Sequence, residues 1–76
     1  MAGKPAELIE FIVKRIVDDA DAVKVHETDG GRLLELETDA EDRGRVIGRQ
    51  GRVAKAMRAL LGVSRDGANV RLDIVD

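Results

Sequence analysis

Cysteine, tyrosine and tryptophan are absent from this 76-residue chain, and phenylalanine, proline and histidine occur once each. Without cysteine there are no disulfides or thiolate metal sites to staple a small fold, and the absence fits a reducing cytoplasm. With Phe11 as the sole aromatic, far from any other candidate site, recognition by stacked rings finds no support. No run approaches the roughly 18 apolar residues that cross a bilayer. The start, Met1-Ala2-Gly3-Lys4-Pro5, leads into Glu7 and Glu10 and lacks an apolar signal core. The chain therefore reads as soluble, unexported and cytoplasmic, with no membrane span.

Catalytic patterns are missing too. His26 is the single histidine, and its sequence neighbours Glu27 and Asp29 lie in or beside a turn, so it reads as a surface residue. Ser64 is the single serine and sits in a basic loop, so no Ser-His-Asp set forms. The Gly-x-x-x-x-Gly-Lys-Ser/Thr spacing of nucleotide hydrolases is absent. Gly44 and Gly48 have the small-xxx-small spacing of membrane helix pairs, but Arg43, Arg45 and Arg49 exclude that setting. We expect no enzyme, no catalytic residues, no metal and no cofactor.

What remains is enough for one domain over residues 1–76. A chain this short buries only about 60% of its unfolded surface, so its margin is thin. Its 43% hydrophobic content, mostly Val, Leu and Ile, still supplies a core. Net charge is −2, yet it is unevenly spread. From Arg43 to Arg65 there are seven basic residues (Arg43, Arg45, Arg49, Arg52, Lys55, Arg58, Arg65) and no acidic one. The remainder holds six basic and fifteen acidic groups. A segment of +7 in a remainder of −9 is a local anion-facing surface that the overall pI hides.

Periodicity orders the elements. Leu8, Ile9, Ile12, Val13, Ile16 and Ala20 repeat at helical spacing after Pro5, predicting a helix from Pro5 to Asp19. Phe11 projects roughly 140° from that stripe, either folded over the helix edge or free for a partner. Val23 and Val25, then Leu34, Leu36 and Thr38, alternate with polar residues across Thr28-Asp29-Gly30-Gly31-Arg32, a hairpin signal. Thr38-Asp39-Ala40-Glu41 reads as a capping box opening a short helix that Gly48 interrupts. A further helix runs from Gly51 to Leu61 with Gly62 as its stop. Val53, Met57, Leu60 and Leu61 lie on its apolar side, and Arg52, Lys55 and Arg58 on the other. Val70, Leu72 and Ile74 alternate with Arg71, Asp73 and Val75 as a last strand. The order α-β-β-α-α-β predicts an α+β fold, with helices on one face of a three-stranded sheet. Of the acidic clusters, Asp39-Glu41-Asp42 is explained by capping, and Asp18-Asp19-Asp21 reads as solvated loop charge.

The informative segment is Val46-Ile47-Gly48-Arg49-Gln50-Gly51-Arg52-Val53. Glycines without Cβ let a phosphate approach the backbone, and unpaired amides at the next helix start favour an anion. Arg49 and Arg52 add charge at that end, and Lys55 follows one turn later. This arrangement in this element order resembles the KH domain, type II arrangement, across nearly the whole chain. Its size resembles the bacterial KhpA family of stand-alone KH proteins.

The resemblance implies a cytoplasmic RNA-binding protein whose GXXG loop clamps the backbone of about four nucleotides of single-stranded RNA. It further implies an RNA chaperone or regulator that forms a homodimer, or a heterodimer with a KhpB (Jag)-like protein. The implied RNA-binding residues are Ile47, Gly48, Arg49, Gln50, Gly51, Arg52 and Lys55. Ile47 and Val53 would bracket the loop, as groove lining or as core. The strand Leu33 to Thr38 would form the other wall of the groove. Without base stacking a lone domain should bind weakly, which makes pairing of two domains attractive. Two alternatives stay open: a protein-interaction module using Phe11 and the Met57–Leu61 region, and binding of single-stranded DNA.

Overall fold

In the computed structural model, which describes residues 4–75, helix α1 spans Lys4–Ile16. Ala6, Ile9 and Val13 recur at three- and four-residue intervals and so share the buried face. Outside, Glu10 and Lys14 pair at 2.9 Å. The helix stops short of the expected Asp19. To continue it, the amides of Asp18 and Asp19 would need the carbonyls one turn back. They donate instead to the carboxylate oxygens of Asp42, at 3.2 and 3.1 Å. A tertiary acceptor ends the helix. Part of the amino-terminal stretch read above for a signal core, Met1 to Gly3, lies outside the described residues, as does Asp76.

Strands β1 (Lys24–Thr28) and β2 (Leu33–Glu37) pair antiparallel, with Val25 opposite Leu36 and Thr28 opposite Leu33. The turn between them holds Asp29, Gly30 and Gly31 at positive φ, as a tight hairpin demands. Strand β3 (Arg71–Ile74) lies parallel to β2, Leu34 beside Leu72, giving the order β1-β2-β3. A parallel neighbour needs a crossover. Helices α2 (Arg43–Ile47) and α3 (Arg52–Val63) provide it. Ile9, Val13, Leu34, Leu36, Val46, Met57, Leu61 and Leu72 meet in one core between helices and sheet. This is the expected α+β architecture, an α-β-β-α-α-β three-stranded sheet with helices on one face.

Three local expectations fail for identifiable reasons. Thr38–Glu41 forms no capping box: the Thr38 hydroxyl donates to the Asp39 carbonyl, and the Asp39 carboxylate accepts the Glu41 amide at 2.9 Å. Such a local turn competes with helix, and α2 starts only at Arg43. Gly62 does not stop α3, which continues to Val63 and ends where the Ser64 amide donates to the Leu60 and Leu61 carbonyls. The chain then folds back until Gly67 lies against Leu61, where a Cβ would stand 3.0 Å from the carbonyl oxygen. Leu60, placed on the apolar side by sequence, is 47% exposed, whereas Ala54 is buried with Met57 and Leu61. Leu60 projects about 100° away from Leu61, beyond the width of the core contact.

One of the two acidic clusters also changes meaning. Asp42 is 3% exposed and closes the end of α1, with no side-chain bond to the start of its own helix. Arg45 reaches Asp18 at 3.1 Å, Asp42 at 3.8 Å and the Ile16 carbonyl at 3.5 Å. Asp18 is thus part of a polar knot joining α1 to α2, while its side chain, 83% exposed, stays in solvent as expected of loop charge.

Candidate nucleic-acid interface

The loop between α2 and α3 begins at Gly48, whose amide donates to the Gly44 carbonyl at 2.8 Å and closes α2. Gly48 sits at φ 82°, ψ 167°, a conformation essentially confined to glycine. A Cβ there would lie 2.5 Å from Val53 Cγ2 and 2.7 Å from the Val53 amide nitrogen. Packing of the loop onto α3 requires this glycine. Gln50 (φ 58°) and Gly51 (φ 74°) then turn the chain left-handed, and the Gly51 amide donates to the Gly48 carbonyl at 3.0 Å. Around a Cβ at Gly51 there is open space. So the two glycines, equivalent by sequence, differ: Gly48 is needed inside, and Gly51 leaves the outer backbone bare.

Arg49, Gln50, Arg52 and Lys55 are all exposed, and none makes an ion pair or side-chain hydrogen bond among the described residues. Beside them opens a groove of about 410 Å³. One wall is Ile47, Gly51, Ala54, Lys55 and Arg58; the other is Asp73, Ile74 and Val75. Ile47 is 37% exposed and lines the groove, whereas Val53 packs against the core, which settles the two bracketing positions differently. Arg52 is exposed on the first turn of α3 and is not among the groove's lining residues.

The far wall departs from expectation. Leu33 to Thr38 contains the central strand, hydrogen-bonded on both sides, so it cannot present an edge. The edge strand β3 takes that role. Arg58, Ala54, Ile74 and Val75 are groove residues that the sequence reading did not select. The helical spacing of Lys55 and Arg58 was a usable signal; the sheet order that brings β3 alongside was not visible. A second hollow of about 400 Å³ continues along β3 past Arg58, lined by Val70, Arg71, Leu72 and Asp73.

Elsewhere, His26 pairs with Glu37 on the neighbouring strand, not with Glu27 or Asp29, and both partners are about half exposed. Among the described residues no group of three metal-ligating side chains converges, and no helix is long and apolar enough to cross a membrane. Phe11 is 58% exposed with the Arg15 guanidinium 4.6 Å from its ring centre.

The family described as KhpA/KhpB, KH domain, matches residues 6–74. The chain is similar to the RNA-binding protein KhpA of Borreliella burgdorferi, at 45% identity over 97% of this chain and 95% of the relative. It is similar to the RNA-binding protein KhpA of Leifsonia xyli subsp. xyli, at 47% over 93% and 96%. A third relative, the RNA-binding protein KhpA of Streptomyces coelicolor, is 44% identical over 92% and 90%. No solved structure matches the chain at a significant level.

Proposed function

The chain belongs to the KhpA/KhpB KH-domain family, and from that premise we propose that it is a non-enzymatic protein that binds single-stranded RNA. The carrying observation is the loop itself: glycine-dependent backbone, flanked by unpartnered Arg49, Arg52 and Lys55, opening onto a groove. Gly48, Arg49, Gln50 and Gly51 hold the sugar-phosphate backbone, while Arg52 and Lys55 add attraction along its path. Ile47 forms part of the apolar floor under the bases. The unit acts as a single domain over residues 1–76, in the cytoplasm, as an RNA chaperone or regulator. Its partners are a second copy or a KhpB-like protein.

Binding of a labelled, unstructured RNA pool at two salt concentrations tests this reading, using wild type and the double variant Arg49→Asp/Gln50→Asp. Wild-type binding should weaken with salt, and the folded double variant should not bind. Equal binding by both, or by neither, sinks the clamp. A DNA oligomer of the same sequence measures how far the sugar matters, because a phosphate clamp alone reads no 2′-hydroxyl.

A partner-binding reading keeps some support from exposed Phe11, Leu60 and Val63. Met57 no longer belongs to it, since that side chain is 1% exposed and a Met57→Asp change would test the core.

A further inference from the structure

Two acidic segments far apart in the chain meet at one end of the molecule. Asp18, Asp19 and Asp21 precede β1, and Asp39, Glu41 and Asp42 follow β2. Because β1 and β2 run antiparallel, with Lys24 opposite Glu37, both segments emerge at the same end of the hairpin. Asp42 fastens them together through the Asp18 and Asp19 amides. The fold uses only part of this charge. Asp42 is buried in the knot, Asp18 pairs with Arg45, and Asp39 turns back onto the Glu41 amide. The side chains of Asp19, Asp21 and Glu41 are exposed and make no hydrogen bond or ion pair among the described residues. Like charges gathered in this way oppose folding, so packing gives no reason for them.

Their position relative to the loop gives one. Helix α2 alone separates Asp42 from Gly48, six steps of 1.5 Å or about 9 Å. That distance is close to the screening length of roughly 8–10 Å at physiological salt. A polyanion gripped at the loop and extending back over α2 therefore meets a negative field that salt only partly screens. In the other direction, along α3, the charge is positive. Arg52 and Lys55 come first, then Arg58, whose Nε and Nη2 donate to the Leu72 carbonyl at 3.2 and 3.0 Å. The loop thus has one side open to phosphate and one side closed to it.

We propose that Asp19, Asp21 and Glu41 are specificity-determining residues that act by repulsion, turning double-stranded RNA away from the loop while leaving single strands free to bind. The inference rests on the RNA-binding reading above. A single strand is flexible and narrow, and can run along α3 alone. A duplex, by the dimensions of DNA, is stiff over about 150 base pairs and spans a groove of about 12 Å. It also carries a charge for about every 1.7 Å of its axis. Its width exceeds the gap between the loop and the acidic end. Seated on the loop, a duplex cannot clear the three carboxylates.

The test uses the whole chain with a labelled, unstructured RNA and the duplex that this RNA forms with its complement, at low and at physiological salt. The variant Asp19→Asn/Asp21→Asn/Glu41→Gln replaces exposed carboxylates by amides of the same shape, and no side-chain bond of the fold is lost. Its control, Glu7→Gln/Asp29→Asn/Asp66→Asn, raises the net charge equally at the opposite end of the molecule. Glu7 lies in the first turn of α1, Asp29 in the hairpin turn, and Asp66 in the loop leading to β3, which starts beside Leu33. Wild type should bind the duplex at least about tenfold more weakly than the single strand. Neutralising the acidic end should strengthen duplex binding about tenfold at low salt and single-strand binding by less than about twofold. The gain should shrink as salt shortens the screening length. The control should leave duplex binding within about twofold of wild type. Equal duplex gains in the two variants, or equal gains for both RNAs, would reduce the effect to net charge and overturn the inference alone. So would wild-type binding of duplex as tight as of single strand, or a neutralised variant that rejects duplex as wild type does. Failure of wild type to bind the single strand overturns the RNA reading along with it.

Discussion

At the amino end of α2, the carboxylate of Asp42 accepts two amides from the end of α1, and Arg45 bridges Asp18, Asp42 and the Ile16 carbonyl. At its carboxyl end, Arg49, Arg52 and Lys55 face solvent with no such partners among the described residues. Both regions are polar, arginine-bearing and adjacent along the chain. They differ in what is left over once the fold has formed. In the first, donors and acceptors satisfy one another, and the carboxylate at the centre is buried; its charge holds two helices together. In the second, the backbone is fixed by glycine and packing, while donors and positive charge remain unspent. Charge saturated internally serves the fold, and charge left open is available to an anionic ligand.

Substitutions can break or sharpen that contrast. The largest effect is expected at Gly48, where the loop depends on the fold as well. Gly48→Ala should cost about 3 kcal/mol or more in urea denaturation, from the disallowed backbone and the collision with Val53. Gly51→Ala, with open space around it, should cost only about 1 kcal/mol, the left-handed penalty. Equal costs at the two glycines would remove the distinction between the inner and outer loop backbone.

A smaller effect belongs to the knot. Asp42→Ala strands the Asp18 and Asp19 amides and should lower stability by about 2 kcal/mol in the same experiment. The RNA affinity of the folded variant should stay at the wild-type level. A loss of affinity with unchanged stability would mean that the two regions are not separate.

The smallest stability effect should come from Lys55→Gln, within about 0.5 kcal/mol of wild type by thermal melting. Its signature lies in binding: the slope of log affinity against log salt should become shallower by about 0.7, one phosphate contact to a single strand. An unchanged slope would remove Lys55 from the backbone path.

Patterns with short range were read correctly from the amino acids. The 3.6-residue stripe of α1, the Gly-rich hairpin, the alternation in β3 and the Gly48–Gly51 interruption all depend on neighbours within a few positions. Some errors arise where a distant residue competes, as at the end of α1, and others from short-range contacts, as in the Thr38–Glu41 turn. Asp42 looks like part of a capping sequence, and only its proximity to Asp18 and Asp19 assigns it elsewhere. Gly62 looks like a helix stop, yet the helix passes through it and the return of the chain over Leu61 follows one turn later.

By itself, then, the order of residues determined the element sequence, the α+β class, the loop and the cationic segment, because each is written in local spacing and backbone freedom. Tertiary structure alone decided which strand borders the groove, that Ile47 faces it while Val53 enters the core, and that Arg58 is tied to Leu72. Those outcomes depend on β3 pairing with β2 from far along the chain. Strand pairing is set by the summed burial of Leu34, Leu36 and Leu72 against the helices, a collective energy that no local pattern records.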